Sequence, residues 1–436
     1  MTLFVKRFLL LLLLAMLLVP AIQAQLHFSK EAGLNGAFTL APRPRLGWDS
    51  LQAGTYQPAL EQYLTDHLGF RPYLVRLRNQ LSFWLFRVAR TPDVVVGRAG
   101  VLFQPGPVAS YQGRDLLPAA EVRFRVRRLR AVQRALHRRG VELLFVLAPA
   151  KARFEPENLP AHLRPPAGTL TNYDQFTRAL RADSVALLDF VPVFAHWKTT
   201  RPYPLFPRGG AHWSGYGATL AADTLLRRLE ALGHLRFPEV RTVGPPRLVR
   251  ALDSLRGTDN DLSWLLNLVE QPEATPLAYR QLAFAPPRPG QTRPSALLVG
   301  DSFTWGLMQF SPYVQREFAD DTRFWYYNHA VHVPDSVYHD TGETAGRLEL
   351  RQQLESRRFV LLLFTEHNLT ENEFGFTDQV YHLYHPHTAP DRAAIDRLAL
   401  QLRGRATWEA QTKNPDGAAQ RARQQAHDLF DRQQLR

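Results

Sequence analysis

Among the side chains that could do chemistry, Ser302 stands in the most suggestive surroundings. It lies in Ser295-Ala-Leu-Leu-Val-Gly-Asp-Ser-Phe-Thr-Trp305, an apolar strand that runs into Gly300-Asp301-Ser302, with a helix expected to follow. Such a turn presents a hydroxyl at the C-terminal edge of a sheet, where open α/β folds place their ligands. The N–H groups of a helix start could there stabilise a developing oxyanion. Asp and Ser are also ordinary helix caps, so the turn alone does not decide for catalysis. A serine hydroxyl needs a base to become a nucleophile. Of 15 histidines, His212 in Arg208-Gly-Gly-Ala-His-Trp-Ser-Gly-Tyr-Gly217 fits best, because flanking glycines let an imidazole approach a neighbour closely.

Other groups point less clearly. Lys151 and Arg153 follow a strand end and could meet an anionic sugar, although solvated surface is their ordinary place. Trp305, Trp325, Tyr326 and Tyr327 could stack on sugar rings or pack in a core. His382, His385 and His387 lie close together, but Pro386 sits among them and no acid is nearby in sequence. No metal site and no cofactor are therefore expected.

The elements that would position these residues alternate in type. Val141–Ala148, Ser184–Phe190, Ala296–Val299, Phe324–Tyr327 and Phe359–Phe364 are short apolar runs of strand formers. Helical patterns lie over 119–139 (stopped by Gly140), Asn172–Arg181, Tyr216–Leu232, Phe303–Phe318 and Glu343–Arg357. This alternation predicts an α/β fold with a mostly parallel sheet over residues 119–388, with an irregular Pro-rich segment at about 235–293. Residues 25–118 read as a linker, amphipathic helices from Leu60 to Leu85, and a hairpin over Asp93–Phe103. Residues 389–436 read as a tail of two polar helices separated by Asn414-Pro-Asp-Gly417.

Composition narrows the setting. The chain has 436 residues and no cysteine, which excludes disulfides and thiolate chemistry. Its net charge of +13 favours an anionic partner, yet the arginines are scattered and no nucleic-acid-binding signature accompanies them. Lys6-Arg7 precede the apolar run Phe8–Ile22, the pattern of an export signal. With Leu3–Val5 the run is long enough to span a bilayer, so an uncleaved signal anchor over residues 1–24 is expected rather than a peptide cut after Ala24.

The serine and histidine motifs together resemble the SGNH-type acyltransferases of the alginate O-acetyltransferase group. In that group a His-Trp motif precedes the serine motif, a circular permutation of ordinary SGNH esterases, and His212-Trp213 precedes Ser302 here. Gly69-Phe70-Arg71 with Arg76 and Asn79, Val96-Gly97 leading to Gly100–Phe103, and Pro149-Ala-Lys151 leading to Glu157-Asn-Leu-Pro160 are similar too. The resemblance implies a flavodoxin-like three-layer sheet, an acyl-enzyme on Ser302 and a periplasmic setting. It also implies a polysaccharide acceptor and a membrane-bound O-acyltransferase partner that supplies the acyl group.

One position departs from the group. Its motif reads Asp-x-His-Trp, and Gly210 stands where the Asp would be. The acid must then come from Glu366, just past Phe359–Phe364, or from Asp259 or Asp261, unless the site is a Ser-His dyad. Glu366 ranks first because strand ends at one sheet edge converge. Asp301 belongs to the serine turn. Asn328 and Asn368 stand where SGNH folds supply oxyanion donors, or else cap turns, and Lys151 and Trp213 are the candidate substrate contacts. The sequence thus predicts an exported O-acyltransferase acting on polysaccharide. An esterase of the same fold, or a non-catalytic glycan-binding subunit, are the alternatives.

Overall fold

A computed structural model describes residues 3–36, 39–272, 275–335, 339–405 and 415–435. The chain divides into two compact units. The first holds residues 1–105, 208–211 and 260–275; the second holds 106–207, 212–259 and 276–436.

The second unit is built on a seven-stranded sheet. Its strands are β1 (Glu142–Ala148), β2 (Leu187–Asp189), β3 (Ala296–Gly300), β4 (Arg323–Tyr326), β5 (Ala330–His332), β6 (Asp340–Thr344) and β7 (Phe359–Thr365). They lie in the order β6-β5-β4-β3-β7-β1-β2. From β4 to β2 every pairing is parallel, and β5 and β6 add an antiparallel edge. The central strands are apolar on both faces because both faces are covered. Leu144, Val146, Leu298, Leu361 and Leu363 pack against the helices Phe190–Thr200 and Gly215–Gly233. Leu143, Phe145, Leu297, Val360 and Leu362 pack against Ala119–His137, Asn172–Ala182 and Phe376–Tyr384. The expected three-layer α/β arrangement is present.

Local chemistry sets the helix limits. Ala119–His137 buries Val122, Val126, Leu129, Val132 and Leu136 on one stripe, carries Glu121 in its first turn and ends with Arg134 and His137, which suits the helix dipole. Gly140, at φ +78°, then turns the chain into β1. Asn172–Ala182 starts with a capping box in which Thr171 N–H donates to Asp174 Oδ2 at 2.9 Å.

Three expectations need correction. The helix over Phe303–Phe318 is a 3₁₀ turn (Ser302–Trp305) and two short helices (Gly306–Gln309 and Tyr313–Glu317), with Pro312 barring a continuous one. The helix over Glu343–Arg357 shrinks to Leu350–Glu355, because Asp340–Thr344 pairs as edge strand β6. The irregular segment contains two antiparallel ribbons, Val240–Thr242 with Leu282–Phe284 and Arg247–Val249 with Leu277–Tyr279.

In the first unit, Leu3–Leu26 is one helix, and it is long and apolar enough to cross a membrane. Helices Tyr56–Asp66 and Arg71–Phe86 follow, and Val95–Val96 pairs with Leu102–Phe103 in the expected hairpin. In the tail, Ala389–Arg405 and Pro415–Gln434 are helices; Asn414 of the expected break lies outside the described residues.

Candidate active site

Parallel register brings the candidate residues to one sheet edge. Gly300 at the end of β3 is level with Leu363 on β7 and with Tyr326 on β4, while Thr365 at the end of β7 is level with Ala148 on β1. The chain therefore leaves β3, β4 and β7 close together, carrying Ser302, Asn328 and Glu366–Asn368.

The serine turn depends on two neighbours. A Cβ on Gly300 would lie 2.2 Å from Thr304 Oγ1 and 2.5 Å from the Leu363 carbonyl oxygen, so only glycine lets the strand close onto the turn. Asp301 is fully buried, and its carboxylate is surrounded by donors. Oδ1 accepts from Phe303 N–H at 3.0 Å; Oδ2 accepts from Thr365 N–H at 2.6 Å, Thr365 Oγ1 at 2.7 Å and Asn368 Nδ2 at 2.7 Å. Such a set compensates a buried charge and pins the serine turn to the end of β7. The geometry also corrects one expectation. The N–H groups of Phe303 and Thr304 both bond to Asp301, so the turn that follows the serine offers neither of them to an oxyanion.

His212 Nε2 lies 2.7 Å from Ser302 Oγ, close enough for the hydroxyl to donate to the imidazole. Packing fixes the ring: Phe303 lies 4.8 Å away, centroid to centroid. The next residue, Trp213, is buried among Phe190, Phe194 and Phe303. A Cβ on Gly306 would meet the Trp213 indole nitrogen at 2.2 Å, so that glycine makes room for the indole. The expectation that Trp213 touches substrate is corrected: at 1% exposure it is core that seats the histidine. Lys151 is corrected likewise. It is buried, and its ammonium donates to the Pro207 carbonyl at 2.5 Å instead of facing a sugar.

The carboxylates are placed differently from one another. Glu366 is buried, accepts from Ala150 N–H at 3.2 Å and forms an ion pair with Arg153. Burial raises its carboxyl to about 7, against the pull of Arg153. The hydrogen bonds of Glu366 run to these two groups and not to His212, which argues against the sequence ranking of this residue as the orienting acid. Asp259 is buried at 1% exposure; its Oδ2 accepts from the Tyr279 hydroxyl at 2.6 Å and from Gly215 N–H at 3.4 Å, three residues beyond His212. Burial and the Asp259 charge push the Tyr279 hydroxyl pKa up, so it stays a donor. Asp261 belongs to the first unit and accepts from Ala211 N–H at 2.9 Å.

Asn328 takes a left-handed backbone (φ +51°), and its Nδ2 donates to the Phe374 carbonyl at 3.0 Å. Asn368 is engaged with Asp301. Sequence reasoning passed over His367. Its pKa is lowered by burial, countered by the charge of Asp301, and the charge of His212 acts in the same direction as burial. Its neighbours Glu366 and Asn368 drew attention instead, although a histidine beside a strand end was the available signal. His382, His385 and His387 were set aside because no acid lies near them in sequence, yet His382 and His387 meet Asp431, an acid 44 residues beyond the second of them.

A separate cavity of about 690 Å³ belongs to the first unit; Trp84, Arg87, Arg98, Arg208 and Glu270 line it.

Residues 94–323, more than half of the chain, match the family model described as SGNH hydrolase-like domain, acetyltransferase AlgX. The chain is 31% identical over 263 residues to the Pseudomonas aeruginosa protein named "Probable alginate O-acetylase AlgJ", covering 57% of this chain and 62% of that protein. It is 24% identical over 180 residues to the protein of the same name from Pseudomonas fluorescens, covering 40% of this chain and 43% of that one. The chain thus spans less than two thirds of the length of these relatives. Among solved structures, the O-acetyltransferase domain of Pseudomonas putida AlgJ aligns over 68% of this chain and all of that one, at 20% identity and a TM-score of 0.43.

Proposed function

The chain belongs to the SGNH hydrolase-like acetyltransferase (AlgX) domain family, and on that premise we propose that it is an O-acyltransferase, acetyl being the group moved, acting on an exported polysaccharide. The observation that carries the proposal is the 2.7 Å contact between His212 Nε2 and Ser302 Oγ. His212 removes the hydroxyl proton as Oγ attacks the acyl carbonyl, and returns it to the departing group of the donor. The resulting acyl-serine is attacked by a sugar hydroxyl, whose proton passes to His212. Collapse then releases the sugar ester and restores Ser302.

Asp259, not Glu366, orients His212 in this proposal. Support comes from the ion pair that occupies Glu366 and from the anchoring of Asp259 at Gly215, three residues past the histidine. The oxyanion is served by Ser302 N–H and the second Nδ2 hydrogen of Asn328, with Asp301 and Asn368 holding the turn. The helix Leu3–Leu26 keeps the chain at the inner membrane with its catalytic unit in the periplasm, and a membrane-bound O-acyltransferase presents the acyl group. The net charge of +13 favours an anionic acceptor, and the uronate chain named by the relatives fits it.

Purified full-length protein in detergent, given an aryl acetate, should release the aryl alcohol, and Ser302→Ala should abolish the release. Activity that survives the substitution would sink Ser302 as the nucleophile. With a uronate oligosaccharide present, mass spectrometry should find acetylated oligosaccharide. Acetate alone as the product would make the protein an esterase instead.

A further inference from the structure

In the C-terminal part of the second unit, three histidines surround one buried aspartate. His382 lies on the helix Phe376–Tyr384, and His387 lies just after Pro386. His427 and Asp431 lie one turn apart on the helix Pro415–Gln434. Asp431 is 1% exposed. Its Oδ2 is 2.8 Å from His382 Nε2, and its Oδ1 is 2.8 Å from His387 Nε2. The His427 ring stacks on that of His387 at 5.3 Å and 27°, and its centroid lies 6.3 Å from that of His382.

The charges around the cluster are unequal. Arg128 donates to Asp431 Oδ2 at 2.7 Å, pairs with Asp378 and has Asp428 at 3.7 Å. Arg128 thus faces three carboxylates, and Arg432 acts on Asp428 as well.

We propose that His382, His387 and Asp431 bind one divalent transition-metal ion of the zinc class. One ligand atom from each of the three lies within 4.8 Å of the others, and among the described residues no other group of histidines and acids does this. Two imidazole nitrogens and one carboxylate oxygen suit zinc and its neighbours, whereas calcium and magnesium require oxygen-rich sets. A tetrahedral ion with metal–ligand distances of about 2.0–2.2 Å holds its ligand atoms about 3.3–3.6 Å apart, so the two 2.8 Å contacts would lengthen slightly within a set that already lies inside 4.8 Å. Each imidazole would offer its Nε2 lone pair and carry its proton on Nδ1. Asp431 would give Oδ1 to the ion and keep Oδ2 on Arg128, which orients the carboxylate. His427 is the nearest further imidazole for the fourth position. The ion would join residues 382–387 to the last helix, so part of its binding energy would hold that helix in place.

The test uses tag-free, full-length protein, stripped with a chelator and dialysed against zinc. Metal analysis should find about one ion per chain, and Tm should rise with zinc concentration. The His382→Ala/His387→Ala variant should lose both effects while keeping the far-UV circular dichroism of the wild type, which reports that it is folded. X-ray absorption of the zinc-loaded wild type should show two or three imidazoles in the coordination shell, a readout that needs no variant. Wild-type protein that takes up no stoichiometric zinc, equal uptake by the variant, or a shell without imidazole would each overturn the proposal. None of these outcomes depends on whether Ser302 is an acyl carrier.

Discussion

A hydroxyl 2.7 Å from an imidazole is only as reactive as the imidazole is well held, so the acid behind His212 decides the residue scale. Asp259 and Glu366 separate cleanly by experiment. Asp259→Asn should lower kcat for aryl acetate by about a thousandfold with little change in KM, since an amide in that place favours the wrong tautomer. Glu366→Gln should instead leave kcat per folded molecule nearly unchanged, with its effect confined to stability through the ion pair with Arg153. The opposite pattern would make Glu366 the orienting acid. The pairing of Ser302 with His212 was legible in the sequence because each sits in a contiguous motif with its own glycines. The acid was not legible, because its identity depends on how strand ends and loops meet in space. Burial was equally hidden: Trp213 and Lys151 have side chains that suit a sugar, yet both are enclosed.

At the scale of elements, apolar runs revealed the five parallel strands, since strands covered on both faces carry little polar sequence. β5 and β6 escaped notice because β5 has only three residues, and Asp340-Thr-Gly-Glu-Thr344 of the edge strand β6 is polar and has one solvated side. The short helix Tyr313–Glu317 holds a consequence for stability. Glu317 is fully buried, both its carboxylate oxygens lack a hydrogen-bond partner, and burial raises its carboxyl to about 7, only partly opposed by Arg293. A folded-state pKa above the ordinary 4.5 means that the native protein binds the proton more tightly than the unfolded chain does. Stability from this group is therefore present at low pH and is lost as pH rises from about 4.5 through about 7. Glu317→Gln should stabilise the protein at pH 8 by on the order of 1–2 kcal/mol and should change little at pH 5. Thermal unfolding at the two pH values checks this, and an equal Tm change at both would sink it.

Over the whole molecule two features act without any single contact: the apolar helix Leu3–Leu26 and the net charge of +13. Both were readable directly, since neither length nor charge depends on the fold. The charge bears on the choice of acceptor. Encounter with an anionic glycan is strengthened by the positive field of the protein and weakened by salt, as the screening length falls from about 10 Å at 0.1 M towards about 3 Å at 1 M. A neutral aryl acetate feels no such field. KM for a uronate oligosaccharide should therefore rise several-fold between about 0.05 and 0.5 M salt, while kcat/KM for the aryl acetate stays flat. Arg87 and Arg98 are exposed at the cavity of the first unit, which the exposed ring of Trp84 also lines. A wild-type KM that ignores salt, or a neutral oligosaccharide acetylated as readily as the uronate, would show that charge does not select the acceptor.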